Sequence, residues 1–208
     1  VEVIHWGNRN YSGLTPEDLA AEIAPPSVNK ELSNWNVDIT AEITTNHFGD
    51  RVRLEKMVRA AKAAGADYVK VQKRDVETFY STQQLSSPFK SPFGSTFGEY
   101  RRQLELSGDD FIFLDALCKR IGIRWFASLL DEPSYHFVRQ FKPELVKLPS
   151  TISEHTDYLA HVAADSDIGV VLSTGMTDKT YEEWVLETFA KVPQLYLMQA
   201  ASAYPTPP

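Results

Sequence analysis

Tyr68-Val69-Lys70-Val71-Gln72 is the stretch that decides the fold of this chain. It is a short apolar run that carries an ionisable residue and ends in a polar one, and a helix-like segment ending at Gly65 precedes it. Buried parallel strands are near-continuous apolar runs of this kind, and α/β enzymes place their chemistry at the carboxyl ends of such strands. The stretch therefore predicts a buried parallel strand that brings side chains to a functional site.

The same pattern occurs six times along the chain, and a helix-like segment follows nearly every run. The runs and their polar residues are Val37–Ile43 with Glu42, Tyr68–Gln72 with Lys70 and Gln72, Trp125–Leu130 with Ser128, Leu145–Ser150 with Lys147 and Ser150, Val170–Gly175 with Ser173, and Leu195–Tyr204 with Ser202 and Tyr204. Strands that alternate with helices indicate βαβ units and a parallel sheet. Six polar strand ends in succession predict a ring of groups around one enzyme site.

Two parallel architectures fit this pattern. A doubly wound sheet usually has a glycine-rich phosphate loop after its first strand, and residues 42–49 contain no G-x-G-x-x-G. An α/β fold of the (β/α)8 TIM barrel type needs no such loop, and it gathers residues from several strand ends. We therefore expect a TIM barrel of which about six βα units are present, with the remainder lying beyond Pro208 or the barrel being incomplete.

The remaining segments complete the expected domain organisation. Residues 1–36 do not follow the strand–helix rhythm and are interpreted as an N-terminal extension or cap, and residues 37–208 as the barrel, incomplete at its C-terminus. The segment from Lys73 to about Thr96 is rich in Ser, Pro, Phe and Gly, and we expect an ordered but irregular loop there.

Composition limits the class of protein. The 208 residues have an apolar fraction of 43% and a net charge of -7, with no basic stripe, which argues against nucleic acid as the main partner. No apolar run approaches the length of a membrane span, and the sequence shows no signal-peptide pattern. The single cysteine, Cys118, fits a reducing compartment and is expected to be buried and inert. These features predict a cytoplasmic protein.

Lys70 and Lys147 are the strongest candidates for chemistry. Each lies inside an apolar run, where an ammonium group is costly to desolvate unless an anion binds or the amine becomes neutral. A phosphate or carboxylate held between them is one interpretation, and a buried salt bridge to Glu42 is the other. Glu42 itself could be a counter-ion, a general base or a partner for a substrate hydroxyl. Serine hydroxyls from other strand ends, Ser128, Ser150 and Ser173, would add donors to the same anion.

The histidines are less informative. His47 follows the first run and is equally compatible with a solvated loop and with the site. His136, His155 and His161 fall on predicted helices and are interpreted as surface or core residues. Because no second His or Cys stands at ligand spacing from His47, the sequence offers no metal ligands.

Four segments together resemble the N-acetylneuraminate (sialic acid) synthase family. They are Ala41–Asp50, Ala63–Gln72, Leu172–Met176 and Ser202–Pro207, in the family's order and spacing. The variant Gln72-Lys73-Arg74-Asp75, with Ser91-Pro92-Phe93-Gly94 further on, is similar to a bacterial branch linked to surface polysaccharides.

The resemblance implies a TIM barrel that condenses phosphoenolpyruvate with an N-acylated hexose, such as N-acetylmannosamine, to a nine-carbon 2-keto acid and phosphate. It implies a divalent metal, manganese or magnesium, whose histidine ligands lie beyond Pro208 together with a carboxy-terminal antifreeze-like domain, and it suggests a homodimer. By position, Lys70, Lys147 and the serines (now including Ser202) would hold phosphoenolpyruvate. Glu42, Gln72 and Tyr204 would face the sugar, and Asn46, in the first matched segment, joins the substrate-binding candidates.

Three departures from the family pattern keep other functions open. The family's Gly-Ser-Gly-Glu is Pro149-Ser150-Thr151-Ile152 here, its Thr-Pro-Phe is Ser128-Leu129-Leu130, and its His-Cys-Thr is Gln199-Ala200-Ala201. A non-catalytic or partner-dependent homologue is therefore the second hypothesis. A Schiff-base aldolase that uses Lys70 or Lys147 is the third.

Overall fold

A parallel sheet forms the centre of the computed structural model, which describes residues 37–203. The predicted extension (residues 1–36) and Tyr204 lie outside the described residues. Within them, the six strands of the sheet are β1 (Thr40–Thr44), β2 (Tyr68–Lys73), β5 (Arg124–Leu129), β6 (Leu145–Leu148), β7 (Gly169–Ser173) and β8 (Leu195–Met198). Each falls on one of the six predicted runs, so the strand pattern in the sequence is confirmed. These elements belong to one compact unit, Asp38–Pro208.

Helices connect the strands. The longer ones are α1 (Arg51–Ala63), α4 (Phe97–Gln103), α5 (Gly108–Ile121), α6 (Glu132–Arg139), α7 (Thr156–Asp165) and α8 (Lys179–Thr188). A 3-10 turn, Ser150–Ile152, follows β6. Over residues 37–203, none of the helices has both the length and the apolar character that crossing a bilayer would require.

The insertion after β2 differs from the expected irregular loop. It contains two short helices, α2 (Val76–Phe79) and α3 (Thr82–Ser86), and an antiparallel hairpin of β3 (Pro88–Ser91) and β4 (Gly94–Thr96). Three capping boxes fix helix starts in and just after the insertion: Ser81 with Gln84, Thr96 with Glu99, and Ser107 with Asp110. In each, a hydroxyl and a longer polar side chain bond each other's backbone N–H groups. The sequence analysis did not predict these helices and strands, because the Ser, Pro and Gly residues of the insertion are typical of loops and obscure the capping boxes.

The strand order distinguishes between the two candidate architectures. In the described part of the chain the order is β1-β2-β5-β6-β7-β8, so strands that follow each other in the sheet also follow each other in the chain. A doubly wound sheet reverses its order at a switch point, and these strands show no reversal. The finding is an α/β fold with a parallel, singly wound sheet. Six strands were expected of a (β/α)8 barrel, and the sheet has six within residues 37–203; it is open there, because β1 and β8 remain at its edges.

The two faces of the sheet are built differently. One face packs against the helices and forms the main hydrophobic core, in which Val69, Val71, Leu129, Leu148 and Leu172 are almost completely buried. The alternate residues point to the other face because successive side chains of a strand alternate. There, a second and smaller apolar cluster consists of Tyr68, Phe126, Leu145 and Val171.

Candidate functional site

The strand register collects the predicted polar residues on the face opposite the main core. Glu42 of β1 pairs with Lys70 of β2, and Ser128 of β5 pairs with both Gln72 of β2 and Lys147 of β6. Three members of the small apolar cluster stand two positions before a polar residue of the same strand: Tyr68 before Lys70, Phe126 before Ser128, and Leu145 before Lys147. The cluster therefore forms an apolar floor (Tyr68, Phe126, Leu145 and Val171), with the polar groups one layer further toward the carboxyl ends of the strands.

Lys70 is the centre of this layer. Its Nζ makes an ion pair with a carboxylate oxygen of Glu42 and donates a 3.0 Å hydrogen bond to Ser128 Oγ. Lys70 is only 8% exposed, whereas the Glu42 side chain is 43% exposed. The salt bridge that the sequence left open is thus formed, and Glu42 also accepts a bond from the Thr44 amide at 3.0 Å. A half-exposed carboxylate leaves the pair accessible to a ligand.

Lys147 is the second cation and differs from Lys70 in having no neutralising contact. No hydrogen bond or ion pair to its Nζ is found among residues 37–203. Burial above all, and then the positive charge of Lys70, lower the pKa of Lys147 to about 8, while Glu42 opposes the shift. A half-buried ammonium group beside a second, buried one is destabilised, so this position favours an anion.

Hydroxyl groups from three other strand ends lie in the same layer or just beyond it. Ser128 and Ser173 are buried, at the ends of β5 and β7. Ser150 and Ser202 converge on Gly175, because a Cβ added to Gly175 would lie 3.0 Å from the Oγ of each. A glycine therefore keeps open a small space lined by two hydroxyls, which is suited to binding the oxygens of an anion.

The other predicted site residues have less direct support. Gln72 is half-buried beside Ser128. The Asn46 side chain donates to the Ile43 carbonyl at 3.0 Å and to Thr44 Oγ1 at 3.1 Å, so its amide shapes the turn after β1. His47 is fully buried and not solvated; its Nδ1 accepts from the Gly49 amide at 3.0 Å, and burial lowers its pKa.

One of the departures from the family pattern, at Ile152, can be located in the fold. Ile152 is fully buried in the main core, on the side of the sheet away from the lysines. Glu154, the nearest acidic residue in the sequence, is exposed. Burial of Ile152 shows that this position contributes packing in this chain.

Arg74 was missed by the sequence reasoning although it follows β2 directly. It is buried, its guanidinium lies over the rings of Phe79 and Tyr80 at 4.5 and 5.1 Å from their centroids, and it bonds the Tyr80 hydroxyl. Burial raises the pKa of Glu105, whose carboxylate accepts a 3.0 Å bond from the Arg74 amide. A charged residue next to a strand end was visible in the sequence, but its aromatic partners in the insertion were not.

Surface clefts lie away from the carboxyl ends of the strands. One is lined by Cys118, Arg124 and Glu144 at the amino ends of β5 and β6, and another lies beside Tyr80 and Phe97. Burial raises the pKa of the Cys118 thiol to about 12, which makes it the inert cysteine expected from the sequence. Neither cleft contains Lys70 or Lys147, so the polar layer is the stronger site candidate because its chemistry is more specific.

The residues of the polar layer do not suit the divalent metal that the resemblance implies. Glu42 is the carboxylate of this layer, and its charge is already engaged by Lys70. Two ammonium groups would repel a cation, and the described strand ends contribute no imidazole or thiolate to the layer. A separate group of possible ligands, Glu132, His136 and His161, lies on α6 and α7.

Comparison with known proteins assigns this chain to a class. Residues 57–208 match the NeuB family, and the chain belongs to that family. The resemblance to sialic acid synthases noted in the sequence is thereby confirmed.

The relatives agree with this assignment. The chain is 33% identical to the N-acetylneuraminate-9-phosphate synthase of Mus musculus over 173 residues, which cover 82% of this chain and 48% of that protein. It is 30% identical to the N,N'-diacetyllegionaminic acid synthase of Legionella pneumophila, covering 82% of this chain and 45% of that protein. The chain thus spans about half the length of the curated relatives it matches.

Solved structures support the fold. The N-acetylneuraminic acid (sialic acid) synthetase of Leptospira borgpetersenii superposes with a TM-score of 0.71 at 24% identity, covering 84% of this chain and 57% of that one. The spore coat polysaccharide biosynthesis protein spsE of Bacillus subtilis superposes with a TM-score of 0.65 at 23% identity, covering 84% and 46%.

Proposed function

We propose that this chain carries the phosphoenolpyruvate-binding part of a sialic-acid-synthase-like enzyme. The whole protein would join phosphoenolpyruvate to an N-acylated hexose and release phosphate. Membership of the NeuB family supports the class of reaction. The observation that carries the proposal is Lys147, a half-buried cation with no counter-ion among residues 37–203, next to the Lys70–Glu42 pair.

The (β/α)8 barrel is part of the same proposal. Strands in unreversed order, with an apolar floor on the face away from the helices, are what an arc of such a barrel requires. In a closed barrel the polar layer would line the opening at the carboxyl ends of the strands, where barrel enzymes place their active sites.

The residues suggest a division of labour within the site. Lys147 and Lys70 would bind the phosphate and carboxylate of phosphoenolpyruvate, with Ser128, Ser150, Ser173 and Ser202 as hydroxyl donors. A bound anion would stabilise the charged form of Lys147 and raise its pKa. Preorganised donors would also stabilise the phosphate as it leaves.

Glu42, Gln72, Asn46 and Tyr204 would face the acceptor sugar. Carbon C3 of phosphoenolpyruvate would form the new bond to the sugar aldehyde carbon. Water would add at C2, and phosphate would leave as the C2–oxygen bond to it breaks. The half-exposed carboxylate of Glu42 supports this role, because an accessible carboxylate could accept a hydrogen bond from the sugar. No step is assigned to a metal, because the polar layer does not fit one.

Binding of phosphoenolpyruvate tests the proposal. Calorimetric titration of the purified chain should show binding that Lys147→Met and Lys70→Met each weaken by about 10- to 100-fold, since a hydrogen bond to a charged group contributes about 1.5–3 kcal/mol. Lys119→Met is the matched control, because Lys119 is an exposed lysine paired with Asp115 on α5. Unchanged affinity in both site variants, with circular dichroism showing intact folds, would refute the proposal.

Two observations favour other functions and define tests of their own. Ile152 in the core replaces the family's acidic residue, which favours a non-catalytic or partner-dependent homologue. Failure of the full-length protein to release phosphate with any acylated hexosamine would support that function. The lowered pKa of Lys147 favours a nucleophilic amine, as in a Schiff-base aldolase. Borohydride trapping with pyruvate would then leave a mass adduct on Lys147, and we expect none.

A further inference from the structure

Glu132, His136 and His161 converge on one point away from the polar layer. Glu132 and His136 lie one helical turn apart on α6, and His161 lies on the neighbouring α7. The Nε2 atoms of His136 and His161 are 3.5 and 3.7 Å from the same oxygen, Glu132 Oε1. All three candidate ligand atoms lie within 4.8 Å of one another.

The three groups lie at ion-pair distances from one another but are not joined by hydrogen bonds. Separations of 3.5 and 3.7 Å exceed the length of an N–H···O hydrogen bond. His161 Nε2 is buried from water and has no hydrogen-bond partner among the described residues. A buried imidazole nitrogen without a hydrogen-bond partner that faces a carboxylate and a second imidazole is an arrangement that a shared cation would satisfy.

The size of the gap fits a small cation. Zinc binds imidazole nitrogen and carboxylate oxygen at about 2.0–2.2 Å, so two of its tetrahedral ligand atoms lie about 3.4 Å apart. The observed separations are close to that value. The His136 and His161 rings meet at 5.2 Å between centroids and 76° between planes, an arrangement in which both nitrogens can turn to one centre.

We propose that Glu132, His136 and His161 form a zinc-type divalent metal site that joins α6 to α7. Two imidazoles and one carboxylate are a donor set that suits zinc, and the half-exposed side of the group leaves a fourth position for water. Because α6 follows β5 and α7 follows β6, the metal would hold together the two units that carry Ser128 and Lys147. The site is independent of the proposed synthase function.

Titration of the metal-free chain with ZnCl2 tests the site. One equivalent should bind and raise the melting temperature, and Co2+ in its place should give the intense visible absorption of four-coordinate cobalt. Loss of a partner that merely orients a ligand typically costs about 10- to 100-fold in metal affinity. Loss of a ligand itself, in His136→Ala or His161→Ala, should weaken binding by at least that much.

Controls separate a built site from surface binding. His155→Ala removes a histidine at the start of α7 that is outside the group, and it should bind zinc like the parent. Glu132→Gln gives a second test if a histidine variant fails to fold. No binding by the parent chain, or equal affinity in the parent and in every folded variant of the group, would overturn the proposal. Tighter binding of Mn2+ than of Zn2+ would overturn the zinc assignment.

Discussion

Two neighbouring residues on β6 show how differently the two faces of the sheet are used. Leu148 points into the helix-covered core and is 1% exposed, whereas Lys147 points to the polar layer and has no counter-ion among the described residues. The same contrast separates Val69 from Lys70 on β2 and Leu129 from Ser128 on β5. One face supplies packing and the other supplies groups whose burial is unfavourable. Stability and binding are therefore encoded in alternate residues of the same strands.

The largest expected effect comes from placing a charge on the wrong face. Ile152→Glu would restore the family's acidic residue, but it would put a carboxylate without a partner into the main core, where Ile152 is fully buried. Burial shifts a carboxylate pKa by about 3–5 units, so the loss of unfolding free energy at neutral pH should be on the order of 5 kcal/mol.

Urea unfolding of Ile152→Glu and of the control Ile152→Val measures this loss. The control removes one methylene and should cost about 0.5–1.5 kcal/mol. A well-folded Ile152→Glu with improved phosphate release would mean that this side chain reaches the polar layer, contrary to the comparison of faces.

A cavity on the helix-facing side should have the next largest effect. Leu148→Ala should lower the free energy of unfolding by about 2–5 kcal/mol, because the site is closely packed and cannot collapse fully. Affinity for phosphoenolpyruvate, measured in the absence of denaturant, should stay within about twofold of the parent, as expected for a residue that does not face the ligand. A large loss of affinity in a folded Leu148→Ala protein would show that the two faces are not independent.

Because of Lys147, the free energy of unfolding should rise with pH. An ordinary lysine salt bridge has the opposite effect, since its contribution is lost as the pH rises. Its folded-state pKa of about 8 lies below the usual 10.5, so between these values the unfolded chain binds more protons than the folded chain. Stability should therefore rise with pH across that window, relative to Lys147→Met, by up to about 3 kcal/mol.

Unfolding curves of both proteins at pH 7 to 10.5 measure this difference. Saturating phosphoenolpyruvate should reduce it, because a bound anion stabilises the charged amine. If the two curves stay parallel across the whole range, Lys147 has an ordinary pKa and no need for an anion.

The smallest effect on stability is expected at Gly175. Its substitution by alanine would bring a methyl group to 3.0 Å from Ser150 Oγ and Ser202 Oγ, which should cost about 1 kcal/mol in stability. Affinity for phosphoenolpyruvate should fall more clearly, by about tenfold, because the methyl group fills the space between the hydroxyls. Ala200→Gly, a change beside the same space, is the control, and equal binding by Gly175→Ala and parent would exclude this space from the site.

The sequence was sufficient for those parts of the fold that depend on local pattern. The six apolar runs became strands, and the alternation within them placed Lys70 and Lys147 on one face. The salt bridge from Lys70 to Glu42 was foreseen as one alternative, since a strand-end lysine needs a partner. The site assignments themselves remain predictions until binding is measured.

Contacts between distant segments were beyond sequence reasoning. The aromatic surroundings of Arg74 depend on how the insertion folds back, and no local signal fixes that. Glu132 and His136 have the spacing of neighbours on a helix, which could have been noticed. His161 joins them only because α6 packs against α7, and that pairing requires the three-dimensional structure.

The three capping boxes around the insertion have a consequence for the order of folding. Residues that pair between β2 and β5, such as Tyr68 and Arg124, are 56 positions apart, whereas Leu145 and Gly169 of β6 and β7 are 24 apart. Closing a longer loop costs more chain entropy, although the cost grows only slowly with length. Helices whose starts are fixed by residues three positions away can form before any long-range contact. Early helices would shorten the flexible chain that joins β2 to β5. The pairing of these two strands therefore need not be the slowest step in assembling the sheet.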